Sequence, residues 1–146
     1  MIQKEKILFL CTGNSCRSQM AEGFARKYLS DRFDVYSAGI EAHGLNRYAV
    51  RAMDKVGIDI SGHQSKTSAS LGDMEFDYVI TVCGHAKENC PYFPAKVKVI
   101  HHGFEDPPKL AEMETTEEGR LVHYARVRDE IENFIQGLQR RYFLEN

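Results

Sequence analysis

The most informative part of this chain runs Ile7-Leu8-Phe9-Leu10-Cys11-Thr12-Gly13-Asn14-Ser15-Cys16-Arg17-Ser18. An apolar segment of strand type leads straight into a cysteine, and an arginine follows six positions later. Gly13 and Asn14 permit a tight backbone turn. The residues after Cys16 repeat apolar side chains at helical spacing. The pattern therefore predicts a strand, a short loop and a helix, with the cysteine and the arginine at opposite ends of the loop.

Such a loop suits a tetrahedral anion. Its successive backbone N–H groups can point inward, and the helix that follows adds positive potential at its N-terminus. The planar guanidinium of Arg17 can hold two oxygens of the anion. The same field favours the thiolate of Cys11, which is the nucleophilic form. This context favours an anion site over a free cysteine at a strand end, with Cys11 as nucleophile and these expected binding residues: Thr12, Gly13, Asn14, Ser15, Cys16, Arg17 and Ser18.

Composition limits the class of protein. With 146 residues, 42% hydrophobic and 27% charged, the chain is expected to form one soluble domain over residues 1–146. A net charge of −2 gives no support to a nucleic-acid partner. No apolar run approaches the length of a membrane span and no signal-peptide pattern appears, so we expect a cytosolic protein without a membrane partner. In that compartment the four cysteines are expected to be catalytic, redox-active or metal-binding.

Strand and helix patterns alternate along the chain. We expect strands at 6–10, 35–39, 77–83 and 96–102, and helices at 16–29, 45–56 and 116–142, with Gly57 as a C-terminal cap. Residues 61–75 and 103–116 are expected to be loops. The alternation predicts an α/β fold, a single four-stranded parallel sheet flanked by helices on both faces.

In such folds the site lies at the carboxyl ends of the strands. Cys11 ends the first strand, Cys83 ends the third and Asp106 follows the fourth, so the three side chains are expected to meet at one edge. Asp106 stands before Pro107 and is expected to be a general acid rather than a helix cap or a surface carboxylate. His102, close to Asp106 in the sequence, either borders the same site or is a surface or packing residue, as most histidines are.

The spacing of Cys83 and Cys90 leaves several interpretations open. A continuous helix would separate them by about 10 Å, whereas a disulfide needs Cα atoms within about 7 Å, so pairing requires the intervening segment to unwind. Alternatively, Cys83 is a buried apolar residue and Cys90 an idle surface thiol. A zinc site is disfavoured because no Cys-x-x-Cys pair occurs. Its ligands would be Cys83, His85, Cys90 and His101 or His102. Cys16 is expected to be structural, and no metal ligand set is assigned.

Taken together, these residues resemble the thioredoxin-coupled arsenate reductases, a branch of the low-molecular-weight protein tyrosine phosphatase family. The similar stretches cover nearly the whole chain: 10–24, 36–46 (Tyr-Ser-Ala-Gly-Ile-Glu-Ala-His-Gly-Leu-Asn), 57–61 (Gly-Ile-Asp-Ile-Ser), 82–84 with Cys90-Pro91, and 126–131 (Arg-Val-Arg-Asp-Glu-Ile). The most specific elements are the loop and the spacing of Cys83 and Cys90, which the phosphatase branch lacks.

The resemblance implies a relay of three cysteines. Arsenate binds in the loop, where phosphate and sulfate also fit. Cys11 attacks arsenic, and Asp106 gives up the proton with which one arsenate oxygen leaves as water. Cys83 then attacks Cys11, which releases arsenite and leaves a Cys11–Cys83 disulfide. Cys90 attacks Cys83 to give the product disulfide Cys83–Cys90, which thioredoxin reduces. One dithiol supplies the two electrons that arsenic(V) needs to become arsenic(III).

Two departures from the family pattern matter. The family often holds a potassium ion with an Asn, a Ser, a Thr and an Asp; Asn14 and Ser37 match, but Gln64 and Lys66 stand at the other two positions. A potassium site is therefore doubtful and no tightly bound cofactor is expected. The ammonium of Lys66 either takes the place of the ion or is simply solvated. Pro108 stands where phosphatases carry an aromatic residue, which disfavours phosphotyrosine.

Two other functions use the same residues. A phosphatase would form a phosphocysteine at Cys11, and Asp106 would protonate the leaving group and then activate water. A binding module would hold the oxyanion, or sense redox state, without turnover.

Overall fold

The computed structural model describes residues 4–83 and 93–143. In chain order, the elements are β1 (Glu5–Cys11), α1 (Arg17–Leu29), β2 (Phe33–Gly39), α2 (Arg47–Asp54), a 3-10 turn (Ser68–Leu71), β3 (Tyr78–Cys83), β4 (Lys98–Phe104), α3 (Pro107–Ala111) and α4 (Glu117–Leu138), which continues as a π-helical turn (Gln139–Phe143). Of the helices in these two described ranges, none combines the length and the apolar character that a membrane crossing requires.

The predicted four-stranded parallel sheet is confirmed, in the order β2-β1-β3-β4. β1 and β3 are the inner strands, and every residue of β3 is buried. A parallel strand covered on both faces reads as a continuous apolar run, as β1 and β3 do in the sequence. Cys11 pairs with Gly39 at the end of β1, so the loop leaves from the middle of the carboxyl edge of the sheet.

The two faces of the sheet are covered unequally. Side chains alternate along β1, so that Ile7, Phe9 and Cys11 join the larger buried cluster while Leu8 and Leu10 join the smaller one. The helices α1, α2 and α4 pack on one another around the larger cluster. Among the described residues, the smaller cluster is covered by the 3-10 turn and contains aromatic side chains, among them Phe76 and Phe93.

Most element boundaries differ from prediction by a few residues. Gly57 has φ of +82°, the left-handed conformation expected just beyond the end of a helix. The prediction of a loop over 103–116 is wrong in part, because β4 extends to Phe104 and α3 spans Pro107–Ala111. Two prolines suggest a break, but a proline in the first helical turn has the right φ and loses no helical hydrogen bond.

Candidate active site

A cavity of about 430 Å³ opens at the carboxyl edge of the sheet. Its walls come from three places in the chain: the loop after β1, the residues between β2 and α2, and the start of α3. The lining residues are Cys11, Thr12, Gly13, Ser15, Cys16, Arg17, His43, Gly44, Leu45, Asn46, Asp106 and Pro108. Asn14 and Ser18, the other two expected loop residues, are fully buried behind this wall.

The carbonyl groups of the loop are hydrogen-bonded to neighbouring parts of the chain. Backbone N–H groups of the 41–46 segment donate to the carbonyls of Thr12, Gly13 and Ser15 at 3.1, 2.9 and 3.0 Å; the donors are Glu41, His43 and Asn46 respectively. The side-chain amide of Gln19 donates to the Asn14 carbonyl at 3.1 Å.

This arrangement sets the direction of the amides. In a trans peptide the C=O and the following N–H point to opposite sides, and the described residues contain no cis peptide bond. Because neighbouring segments bind the four carbonyls, the N–H groups of the next residues point away from those segments, and we infer that they face the cavity; these residues are Gly13, Asn14, Ser15 and Cys16. The loop therefore presents a cradle of backbone donors to an anion.

Asn14 fixes the bend in this cradle. Its φ is +47°, a left-handed conformation that asparagine tolerates better than most residues. Its Nδ2 donates to the hydroxyl oxygens of Ser18 and Ser37 at 2.8 and 3.0 Å, and its Oδ1 accepts from the backbone N–H of Lys66 at 2.8 Å. Three bonds to different parts of the chain thus hold the less common conformation in place.

A buried carboxylate continues this network. The Ser37 hydroxyl donates to Glu22 Oε1 at 2.5 Å, and Arg26 Nε donates to Glu22 Oε2 at 2.8 Å. Glu22 is 3% exposed, so the guanidinium of Arg26 supplies the counter-charge that a buried carboxylate needs. Burial lowers the pKa of the neighbouring His63, an effect that the charge of Glu22 opposes.

These contacts bear on the doubtful potassium site. The two matching side chains, Asn14 and Ser37, already bond to protein partners, and Glu22 already has Arg26 as its counter-ion. That potassium does not bind here stays a prediction, which these contacts favour. Lys66 Nζ lies 3.4 Å from the Gln64 carbonyl, and the idea that its ammonium takes the place of the ion stays a prediction.

The sulfur of Cys11 lies at the base of the cavity, 3% exposed and 2.9 Å from the hydroxyl of Ser18. A hydroxyl at that distance can donate to a thiolate and hold it in position. Arg17 and Asp106 face the same space. Arg17 Nη1 donates to the Phe104 carbonyl at 3.1 Å, and its Nε lies 3.6 Å from Asp106 Oδ1.

Arg17 and Asp106 differ in how far their side chains are exposed to solvent, and this difference indicates different roles. The Arg17 side chain is 5% exposed, whereas that of Asp106 is 34% exposed at the cavity mouth. A group that exchanges protons with solvent in each cycle has to be reachable by water, as Asp106 is. Asp106 precedes α3 without bonding its backbone through the side chain, which leaves the carboxylate directed to the site rather than to the helix.

The sequence that forms this fold and this cavity is similar to that of a known protein family. Residues 6–143 match the low molecular weight phosphotyrosine protein phosphatases. The chain belongs to this family.

Within the family, the chain is similar to arsenate reductases. It is 54% identical over 132 residues to the arsenate reductase of Bacillus subtilis strain 168, covering 90% of this chain and 93% of that one. A solved arsenate reductase in the oxidized state matches with a TM-score of 0.73 and 30% identity, covering 92% of this chain and 95% of that chain. Another, in the phosphate binding state, matches with a TM-score of 0.68 and 31% identity, covering 90% of this chain and 97% of that chain.

Cys16 belongs to the same loop as Cys11 and is also buried. Burial raises the pKa of the Cys16 thiol well above its usual value, and the negative charges of Asp106 and Cys11 raise it further. Cys16 therefore stays a thiol in the folded protein. It packs in the larger buried cluster, in agreement with the structural role expected of it.

Cys83 lies at the end of β3, next to β1. The pairing of β3 with β4 shifts between Thr81 and Cys83: two steps along β3 match three along β4, from His101 to Phe104, so the extra residue lies on β4. Cys83 is 1% exposed and belongs to the same buried cluster as Cys11. Cys90, and with it the Cys83–Cys90 disulfide, lies outside the described residues, as does His85 of the zinc alternative.

The sequence left one residue undecided and several functional residues unrecognised. Of the two interpretations of His102, packing is the one observed, because its ring lies 4.7 Å from that of Phe104 and 4.4 Å from that of Phe134, away from the cavity. The 41–46 segment, Gln19 and Glu22 were not singled out. The available signal was that Gln19 and Glu22 are polar residues interspersed with the apolar residues Met20, Ala21 and Phe24.

Proposed function

We propose that this protein reduces arsenate to arsenite through Cys11, Cys83 and Cys90, and that thioredoxin then reduces the resulting Cys83–Cys90 disulfide. The observation that carries the proposal is the placement of Cys11 in a cradle of backbone amides, on the strand beside the one that ends in Cys83. The similarity to arsenate reductases over nine-tenths of the chain supports it.

The first step is binding and attack. The oxygens of arsenate accept hydrogen bonds from the loop amides, and the guanidinium of Arg17 balances their charge. The Cys11 thiolate forms a bond to arsenic, and one arsenate oxygen leaves as water after Asp106 gives it a proton. Arsenic is still in the +5 state, and no electrons have yet reached it.

The second step transfers two electrons. A Cys83 thiolate attacks the Cys11 sulfur, the S–S bond forms and the S–As bond breaks. The electron pair of the broken bond stays on arsenic, which leaves as arsenite in the +3 state. Cys11 ends β1 and Cys83 ends the neighbouring parallel strand β3. Both side chains belong to the same buried cluster, which supports a disulfide between them.

The third step restores the nucleophile. The Cys90 thiolate attacks the Cys83 sulfur, which forms Cys83–Cys90 and frees the Cys11 thiolate. Thioredoxin, as a dithiol, then takes the disulfide by exchange and is itself oxidised. The spacing of Cys83 and Cys90 and the resemblance to the thioredoxin-coupled branch support this step.

The test couples arsenate to NADPH oxidation through thioredoxin and thioredoxin reductase. We expect activity from the wild type and none from Cys11→Ser or Cys83→Ser. Cys90→Ser should release about one equivalent of arsenite and stop at a Cys11–Cys83 disulfide, which mass spectrometry of peptides would locate. If Cys90→Ser turns over repeatedly, or if all four thiols of the reduced protein stay free after arsenate, the relay is wrong.

The same experiment decides between this function and the two alternatives. Cys11, Arg17 and Asp106 share one cavity, which is also the arrangement that phosphoester hydrolysis needs. Aryl phosphate hydrolysis that survives Cys83→Ser and Cys90→Ser, without arsenate-dependent NADPH oxidation, would establish a phosphatase. Oxyanion binding with neither activity would establish a binding module.

A further inference from the structure

Asn46 connects the oxyanion loop to two helices. Its backbone N–H donates to the Ser15 carbonyl at 3.0 Å. Its Oδ1 caps α2 by accepting from the N–H groups of Tyr48 and Ala49, at 2.8 and 3.1 Å. Its Nδ2 donates to the hydroxyl of Tyr124 on α4 at 3.1 Å. Asn46 is therefore held by hydrogen bonds to three parts of the chain: the oxyanion loop, α2 and α4.

Tyr124 is a firm anchor for this contact. It is 2% exposed, and α4, which carries it, packs against both α1 and α2. Burial raises the pKa of Tyr124 to about 12, so its hydroxyl is neutral at physiological pH and accepts from Asn46. A buried donor or acceptor that loses its partner is costly, which keeps the two side chains together.

The orientation of Asn46 affects the cavity through one peptide group, the one that joins Ser15 and Cys16. The Ser15 carbonyl accepts from the Asn46 N–H, so the N–H of Cys16, on the other side of that trans peptide, points away from Asn46. The other outward carbonyls are bound by Glu41, His43 and Gln19, so none of them replaces Asn46 at this position.

We propose that Asn46 and Tyr124 are positioning residues for oxyanion binding: the Tyr124 hydroxyl fixes Asn46, which in turn aims the Cys16 amide at the anion. The ligand is a tetrahedral oxyanion held by backbone donors. The proposal rests on the binding part of the proposed function and is independent of arsenic reduction. Neither residue touches the reacting atoms.

The experiment measures the dissociation constant of inorganic phosphate by calorimetry, far below the unfolding temperature. Tyr124→Phe removes one hydroxyl and should weaken phosphate binding about three- to tenfold, the effect of one hydrogen bond. Tyr48→Phe is the matched control: its ring lies 5.3 Å from that of Tyr124, but its hydroxyl bonds to the exposed Arg47. That control should bind phosphate within twofold of the wild type. A purely structural role would lower the melting temperature of Tyr124→Phe and leave its phosphate affinity unchanged.

A second variant tests the pair and covers the case in which Tyr124→Phe does not fold. Asn46→Ser keeps a capping oxygen and the backbone N–H but does not reach Tyr124, so it should weaken phosphate binding to a similar extent. In a double-mutant cycle, the Tyr124→Phe change should have little further effect once Asn46 is Ser.

Either of two results overturns the proposal: phosphate affinity within twofold of the wild type in Tyr124→Phe and Asn46→Ser, or equal losses in Tyr124→Phe and Tyr48→Phe. A wild type that does not bind phosphate overturns the cradle and this proposal with it. Phosphate binding without arsenate-dependent NADPH oxidation would refute only the proposed reductase, and the comparison of variants would still decide the role of Asn46 and Tyr124.

Discussion

Gly39 offers the sharpest test of how rigidly the oxyanion loop is held. It is buried at the end of β2, beside Cys11. A Cβ at this position would lie 2.7 Å from the Thr12 carbonyl oxygen, 2.8 Å from the Asn14 nitrogen and 2.8 Å from the Glu41 carbonyl oxygen. All three atoms are backbone, so no flexible side chain can move aside. To restore ordinary contact at 3.4 Å, they must shift by about 0.6 Å.

The expected cost of Gly39→Ala follows from that shift. Misplacing catalytic groups by about 1 Å can cost 100-fold in rate, so a displacement of this size should lower kcat/KM for arsenate about 10- to 100-fold. Overpacking should also reduce the free energy of unfolding by about 1–3 kcal/mol. Steady-state kinetics and chemical denaturation measure the two effects. Gly62→Ala is the matched control, because its Cβ would enter open space and its φ is not left-handed. If the two alanine variants have kcat/KM values within twofold of each other, the loop is not held as described.

Four further predictions concern single residues or ions. Arg17→Lys should lower kcat/KM for arsenate about 100-fold or more, because a point charge cannot reproduce the two-pronged grip of a guanidinium; a loss below tenfold would contradict this. Replacing sodium with potassium at fixed ionic strength should leave kcat unchanged, since Asn14 and Ser37 already have protein partners; a clear rise in kcat would reveal a cation site. Gly137→Ala, on α4 with open space around its Cβ, should raise the free energy of unfolding by about 0.5–1 kcal/mol in urea without altering kcat/KM. The raised pKa of Cys16 means that the unfolded chain loses this proton first, so stability should fall as pH rises above about 9; in mass spectrometry after iodoacetamide at pH 8, Cys16 should be labelled in denaturant and not in the folded protein.

The sequence predicts those parts of the fold that depend on local patterns. The run before Cys11, the buried strand before Cys83 and the helix after Cys16 all have the periodicity of their final structure, and the parallel sheet follows from their alternation. Asp106 could be placed at the site because carboxyl ends of parallel strands share one edge.

The remainder depends on contacts between distant residues. Asn46 and Tyr124 are 78 positions apart, and nothing in the local pattern of either residue indicates the other. The same holds for Gln19, whose amide reaches back to the loop only after α1 has packed. The position of His102 stayed open because strand alternation gives the face of a residue but not its aromatic neighbours, here Phe104 and Phe134, against which its ring packs.

The recognition surface of this pocket is built largely from main chain, and that has a chemical consequence. Peptide N–H groups bind according to the positions and the charge of the anion's oxygens. They make no contact with the central atom and so do not distinguish arsenic from phosphorus. Phosphate must therefore compete with arsenate for every empty pocket, and tighter binding cannot exclude it. Under the proposed function, the protein distinguishes arsenate from phosphate only after binding. Thiols reduce arsenic(V) to arsenic(III), whereas they do not reduce the phosphorus of phosphate.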